Sequence, residues 1–214
     1  MFRKLKDRIA DYLNESADLE PFELPLFPLN TVLFPGGVLP LRVFEQRYMD
    51  MTKACLQDDT PFGVCLIKEG GEVGNPALPH EVGCLARITD WDMQQLGVLN
   101  VRAVGLRRFR VLESRIEPSG LIVAGAQLLP VEAPLPIPAE HAACAGVLQH
   151  IVKRVGEDKF EAPLAFDDAV WIGYRLAEVL PIKISAKQNM LEMNDTIVRL
   201  EVLHRFLGQQ GLAT

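Results

Sequence analysis

Glu23-Leu-Pro-Leu-Phe-Pro-Leu-Asn-Thr-Val-Leu-Phe-Pro-Gly-Gly-Val-Leu-Pro-Leu41 decides how this chain folds. The stretch is dense in proline and in apolar residues. Proline has no N–H to give to a ladder, so such segments belong at strand starts, sheet edges and turns. Pro35-Gly36-Gly37 is a turn signal. The pattern predicts strands near 24–29 and 37–43.

Downstream, the period changes. Phe44, Tyr48, Met51 and Cys55 fall on one helical face, and Pro61 ends that pattern. Phe62 to Ile67 is a continuous apolar run of strand length, as expected for a strand covered on both faces. Residues 69–81 are mostly turn formers and read as a long exposed loop. From Val82 to Pro130 the period is close to two. Leu99, Val101 and Ala103 alternate with polar neighbours, as do Phe109 and Val111, and Pro118-Ser119-Gly120 makes a tight turn. Four strands without intervening helices are expected there, paired antiparallel. With the earlier strands they total about six, enough for a small closed or nearly closed barrel.

Pro130, Pro134, Pro136 and Pro138 mark a stiff linker, after which the pattern is helical. Cys144, Val147, Leu148, Ile151 and Val155 form one stripe. Asp167 is expected to cap a helix that is apolar on two sides and therefore central in a bundle. Pro181 stops it. Ser185 with Gln188 reads as a capping box. Asn194 or Asp195 restarts a last helix with Ile197, Leu200, Leu203 and Leu207 inward. Upstream, Phe2, Leu5, Ile9 and Tyr12 share a helical face, read as a short helix docked on the body; a partner or a membrane surface is the alternative. The expected organisation is a helical segment over 1–20, a barrel over 21–130 and a helical bundle over 139–210, an α+β chain that is mainly β in its first part.

Composition bounds the function. Hydrophobic residues are 49 % of the chain and charged residues 23 %, a globular balance. A net charge of −6 gives no general attraction to nucleic acid or to an anionic membrane. No apolar stretch approaches a bilayer span, and the basic start Met1-Phe-Arg-Lys-Leu-Lys lacks a following apolar core, so a cytoplasmic protein is expected. Cys55, Cys65, Cys84 and Cys144 form no Cys-x-x-Cys pair and read as buried residues in a reducing compartment.

Catalytic motifs are absent. There is no phosphate-binding Gly-x-x-x-x-Gly-Lys-Ser/Thr loop and no Gly-x-Gly-x-x-Gly after a strand. His80, His141, His150 and His204 make no His-x-x-x-His, so no metal and no cofactor is expected. Ser185 and Lys187 have the wrong spacing for a Ser-x-x-Lys pair. The carboxylates at Asp58-Asp59, Asp90/Asp92 and Asp167-Asp168 each sit beside a turn or a helix start, where solvation or capping accounts for them.

Several ordered blocks carry a resemblance. Glu23 to Leu41, Phe44-Glu-Gln-Arg-Tyr48, Gly105-Leu-Arg-Arg-Phe-Arg110 and Val179 to Asn194 together resemble the N-terminal, substrate-recognition domain of Lon proteases. The resemblance implies a PUA-like six-stranded pseudo-barrel followed by helices. It also implies a role in holding unfolded or tagged polypeptide segments, in association with a protease or chaperone. The stretch Met1–Thr214 contains neither an ATPase module nor a serine–lysine peptidase, so a free-standing, non-enzymatic member is expected.

Candidate peptide contacts are Phe34, Trp91 and Met93, apolar residues near turns; Trp91 lies between Asp90 and Asp92, which points to a partly exposed ring. The alternative is RNA binding, which PUA-like barrels perform, through Arg102, Arg107, Arg108, Arg110 and Arg115. The acidic chain argues against it.

Overall fold

The structure, a computed structural model, describes residues 20–212; the helix expected over 2–13 lies outside them. Seven strands come first: β1 (Phe22–Leu29), β2 (Val38–Val43), β3 (Phe62–Glu69), β4 (Leu78–Pro79), β5 (Val82–Gln95), β6 (Val98–Ile116) and β7 (Ile122–Leu128), with helix α1 (Gln46–Asp58) between β2 and β3. Four helices follow: α2 (Ala142–Val155), α3 (Ala169–Val179), α4 (Ile184–Glu192) and α5 (Thr196–Gln209). The chain divides into two compact units, one through Val131 and one from Glu132.

In the first unit β1, β7, β6, β5 and β3 hydrogen-bond in that order, and a parallel pairing of β3 with β1 (Leu26↔Gly63 to Leu29↔Leu66) closes the ring. The other pairings are antiparallel. The prolines of β1 fit because the strand changes partner midway. Pro25 lies opposite Val123 of β7 and Pro28 opposite Cys65 of β3, so each has a ladder on one side only. Leu24 and Leu26 join one apolar cluster with Phe109, Ile122 and Ala124. Phe27 and Leu29 join another with Tyr48, Met51, Cys55 and Phe62. The Phe27 and Tyr48 rings stack with centroids 4.1 Å apart. Phe44, expected on the inward face of the helix, is exposed, because α1 begins only at Gln46.

Three strands, not four, occupy 82–130. The runs around Leu99 and Phe109 are two halves of β6, a single strand of 19 residues. Its first half lies between β2 and β5, and its second half between β5 and β7. The halves meet at Gly105, where the β5 register shifts between Cys84 and Ala86. The turn Phe34-Pro35-Gly36-Gly37 crosses β6 at this point. Gly36 has φ +70°, and Gly37 N–H donates to Phe34 O at 2.9 Å, as a type II turn with proline second and glycine third requires. Gly36 N donates to Gly105 O and Gly105 N to Gly37 O, at 2.7 and 2.8 Å.

In the second unit α3 packs against α2, α4 and α5. It is buried at Ala169, Val170, Ile172, Tyr174, Leu176 and Ala177, as its apolar sides predict. On α2 the buried residues are Cys144, Leu148 and Val152, so Val155 of the expected stripe stays exposed. Asp168, not Asp167, caps α3 by accepting from Val170 N. Asp195 caps α5 by accepting from Ile197 N and Val198 N. The capping box does not form. The N-cap of α4 is Lys183, Ser185 lies inside the helix, and Gln188 donates to Glu192. Glu132 meets Arg199, Tyr174 and Thr196 in a buried polar knot, and Arg199 also donates to Met193 O at 3.2 Å. The Arg199 guanidinium lies 4.1 Å from the Tyr174 ring centroid.

Candidate functional site

β5 loses its β3 partner after Ala86 and runs on with β6 alone to a hairpin tip. β2 covers the other side of that half of β6. The result is a three-stranded flap, β2–β6–β5, whose two outer edges carry no strand among the described residues. Cross-strand rows run Pro40–Arg102–Asp90, Leu41–Val101–Trp91 and Arg42–Asn100–Asp92. Together they line a depression of about 290 Å³.

Beyond the ring, the flap keeps apolar side chains in solvent. Trp91 is 54 % exposed, Met93 44 % and Leu96, at the tip, 94 %. Trp91 N–H donates to the Asp90 side chain at 2.9 Å. A second depression, of about 360 Å³, borders the open edge of β2. Phe27, Leu39, Leu41 and Tyr48 floor it, and Phe44, Glu72 and Val73 stand among its lining residues. Glu72 holds its loop in place by accepting from Asn30 N at 2.6 Å. Pro40, Leu41 and Arg42 line both depressions, so β2 is the wall between them.

The phase of the ladders follows from Gly105 N donating to Gly37 O. Residues opposite each other in an antiparallel pair alternate between hydrogen-bonded and non-hydrogen-bonded. Gly37–Gly105 is bonded, so Leu39–Ala103 and Leu41–Val101 are too, whereas Pro40–Arg102 is not. The missing N–H of Pro40 therefore faces the open edge, where it costs β6 nothing.

Trp91 and Met93, the expected contacts, stand together on this flap. Phe34 does not. It is 0 % exposed, because its turn folds down onto β6 rather than projecting, and it is withdrawn as a contact residue. The arginine group also does not assemble into a surface. Arg107 and Arg108 are buried, Arg107 donating its Nε–H to Leu129 O at 2.8 Å. Arg102 is held by Thr89 at 3.0 Å, exposed Arg110 faces Glu81 at 3.9 Å, and Arg115 is engaged by Glu23 and Glu117. Alternation alone did not reveal that both faces of β6 near residue 107 are covered. Sequence reasoning also missed Leu96 and the β2 wall. The apolar Leu96 between Gln95 and Gly97 of a turn was the available signal for the first; the second depends on a pairing over long sequence distance.

All four cysteines are buried with free thiols, and burial pushes Cys55 and Cys144 up to about 11. Among the described residues no group of three or more His, Cys, Asp or Glu side chains is placed to hold a metal ion, and no helix is long and apolar enough to cross a membrane. His141 and His204 face each other with Nδ1 atoms 3.2 Å apart.

Comparison with known proteins agrees with this architecture. Residues 23–209 match the family described as the ATP-dependent protease La (LON) substrate-binding domain. The crystal structure of a Lon N-terminal domain protein from Xanthomonas campestris superposes with a TM-score of 0.72 at 37 % identity, covering 85 % of this chain and 96 % of that one. The N-terminal domain of Mycobacterium avium complex Lon protease shares the fold, with a TM-score of 0.58 at 16 % identity over 87 % of this chain and 98 % of that one. Lon protease of Anaeromyxobacter dehalogenans is 28 % identical over 201 residues, 89 % of this chain and 23 % of that protein. Protein cereblon of Xenopus tropicalis is 32 % identical over 122 residues, 54 % of this chain and 26 % of that protein. The chain thus spans about a quarter of the length of these two relatives. Matched along nearly its whole described length, the chain belongs to the Lon substrate-binding domain family.

Proposed function

We propose that this protein is a cytoplasmic, non-catalytic module that holds unfolded or tagged polypeptide segments for another protein, a protease or chaperone, to act on. The observation that carries this reading is the exposed apolar flap. Trp91, Met93 and Leu96 stand exposed on a sheet extension, and Trp91 lines one of its two neighbouring depressions of small-ligand size. A folded domain leaves such residues in water when they serve a partner. Aromatic anchors of this type dominate binding energy at protein interfaces. The family to which the chain belongs is named for substrate binding, which agrees.

The test is titration of a labelled, reduced and carboxymethylated polypeptide, followed by anisotropy. Binding is expected with the wild type, and Trp91→Ala is expected to weaken it about tenfold or more, with Met93→Ala weaker in effect. Absence of binding by the wild type, or an unchanged affinity in Trp91→Ala, overturns the assignment.

A further inference from the structure

We propose that the free edge of β5 takes its polypeptide as an added strand, and that the preferred segment alternates apolar and basic residues. This rests on the polypeptide-holding function above and names the chemistry of the segment held.

Two open edges compete for that role, and they differ. On β2, Pro40 presents no N–H outward. On β5, the residues past Ala86 include no proline as far as the tip at Gln95. The ladder phase says which amides are on offer. Val101 gives its main-chain groups to β2, so Asn100 and Arg102 give theirs to Asp92 and Asp90 of β5. The amide of the residue between them, Trp91, therefore points away from the sheet, and the regular phase ends where the register shifts between Asp92 and Gln95. Trp91 confirms the phase, because its N–H is taken by the Asp90 carboxylate at 2.9 Å instead of by a strand. An arriving strand would replace that local bond with a ladder.

Side-chain chemistry then selects the segment. Asp90 and Asp92 project on one face of the edge and Trp91 on the other, with exposed Met93 following at the register shift. A strand laid alongside has the same period of two, so its residues meet carboxylates and apolar groups by turns. Lysine or arginine suits the first and a β-branched or aromatic residue the second. The same carboxylates disfavour a second copy of this chain, since antiparallel self-pairing would bring the acidic faces of both copies together.

The experiment compares three short labelled peptides on the full chain: alternating valine–lysine, valine–threonine and valine–glutamate. The lysine peptide is expected to bind about five- to tenfold more tightly than the glutamate one, and the gap is expected to close in 0.5 M salt, as exposed charge pairs do (roughly 0.15 M is physiological). Asp90→Asn with Asp92→Asn should erase the preference while leaving the melting temperature within a few degrees, ~2 °C. Backbone N-methylation of the lysine peptide at alternate positions along one edge should abolish binding with the protein untouched. Equal affinities for all three peptides, indifference to N-methylation, or a Trp91-dependent dimer occupying this edge would each overturn the proposal. Those outcomes leave the general polypeptide titration standing; failure of that titration removes the function itself.

Discussion

A methyl group on Gly105 would lie 2.2 Å from the Phe34 carbonyl oxygen, a distance no real Cβ tolerates. Gly105 is bonded to both glycines of the turn across it, so neither side can yield without losing hydrogen bonds. Gly105→Ala is expected to cost about 3 kcal/mol, visible as a lowered midpoint in urea denaturation with little change of slope. A shift of under about 0.5 kcal/mol would mean that the turn moves aside freely. Part of this was legible beforehand. A glycine inside a strand pattern signals a bend, and Gly105 lies at one. Phe34 was not legible, because Phe-Pro-Gly-Gly reads identically whether its turn projects or folds down. Arg107 and Arg108 were misread for a related reason, since formal charge carries no information about what covers a strand.

At the level of elements, the knot around Glu132 joins the start of the second unit to three helices. Tyr174 lies on α3, Thr196 and Arg199 on α5, and Arg199 reaches the carbonyl of Met193 just past α4. Burial raises the Glu132 pKa, but Arg199, Thr196 and Tyr174 lower it further, and the net value lies below the usual carboxylate range. A depressed folded value means that the ionised form favours the fold. That stabilisation is complete above the unfolded glutamate value, about 4.3, and is lost as pH falls through the lower folded value. Glu132→Gln should cost about 3 kcal/mol at neutral pH, because it leaves the Arg199 charge buried and uncompensated. It should also flatten the acid limb of a helix-detected denaturation curve. A variant with wild-type acid sensitivity would dismiss the knot as a source of stability. Helix existence was readable from period and proline; the cap at Asp168 rather than Asp167 was not, since adjacent aspartates are equivalent until the backbone chooses.

For the whole molecule, four thiols divide between the two units, three in the strand unit and Cys144 in the helical one. Burial that raises Cys55 and Cys144 to about 11 leaves only about one in a thousand ionised at pH 8. Ellman's reagent should therefore find four thiols in denaturant and far fewer in the native protein over minutes. Rapid native labelling of all four would mean that the cores are open. The strand-then-helix plan was legible, because both periods are strong and the proline-rich linker separates them. A closed or nearly closed barrel was legible from the number of strands, but the pairing that closes it was not, since no local pattern tells β1 to lie parallel to β3.

The pairing of β1 with β7 has a consequence for biosynthesis. Among the described strands β1 leaves the ribosome first, yet its antiparallel neighbour β7 is made last. Until β7 emerges, Leu24 and Leu26 lack the cover of Ile122, Ala124 and Ala126, and a nascent chain must wait with that cluster incomplete. A protein proposed to hold unfolded segments of other chains thus passes through a stage in which it is itself such a chain.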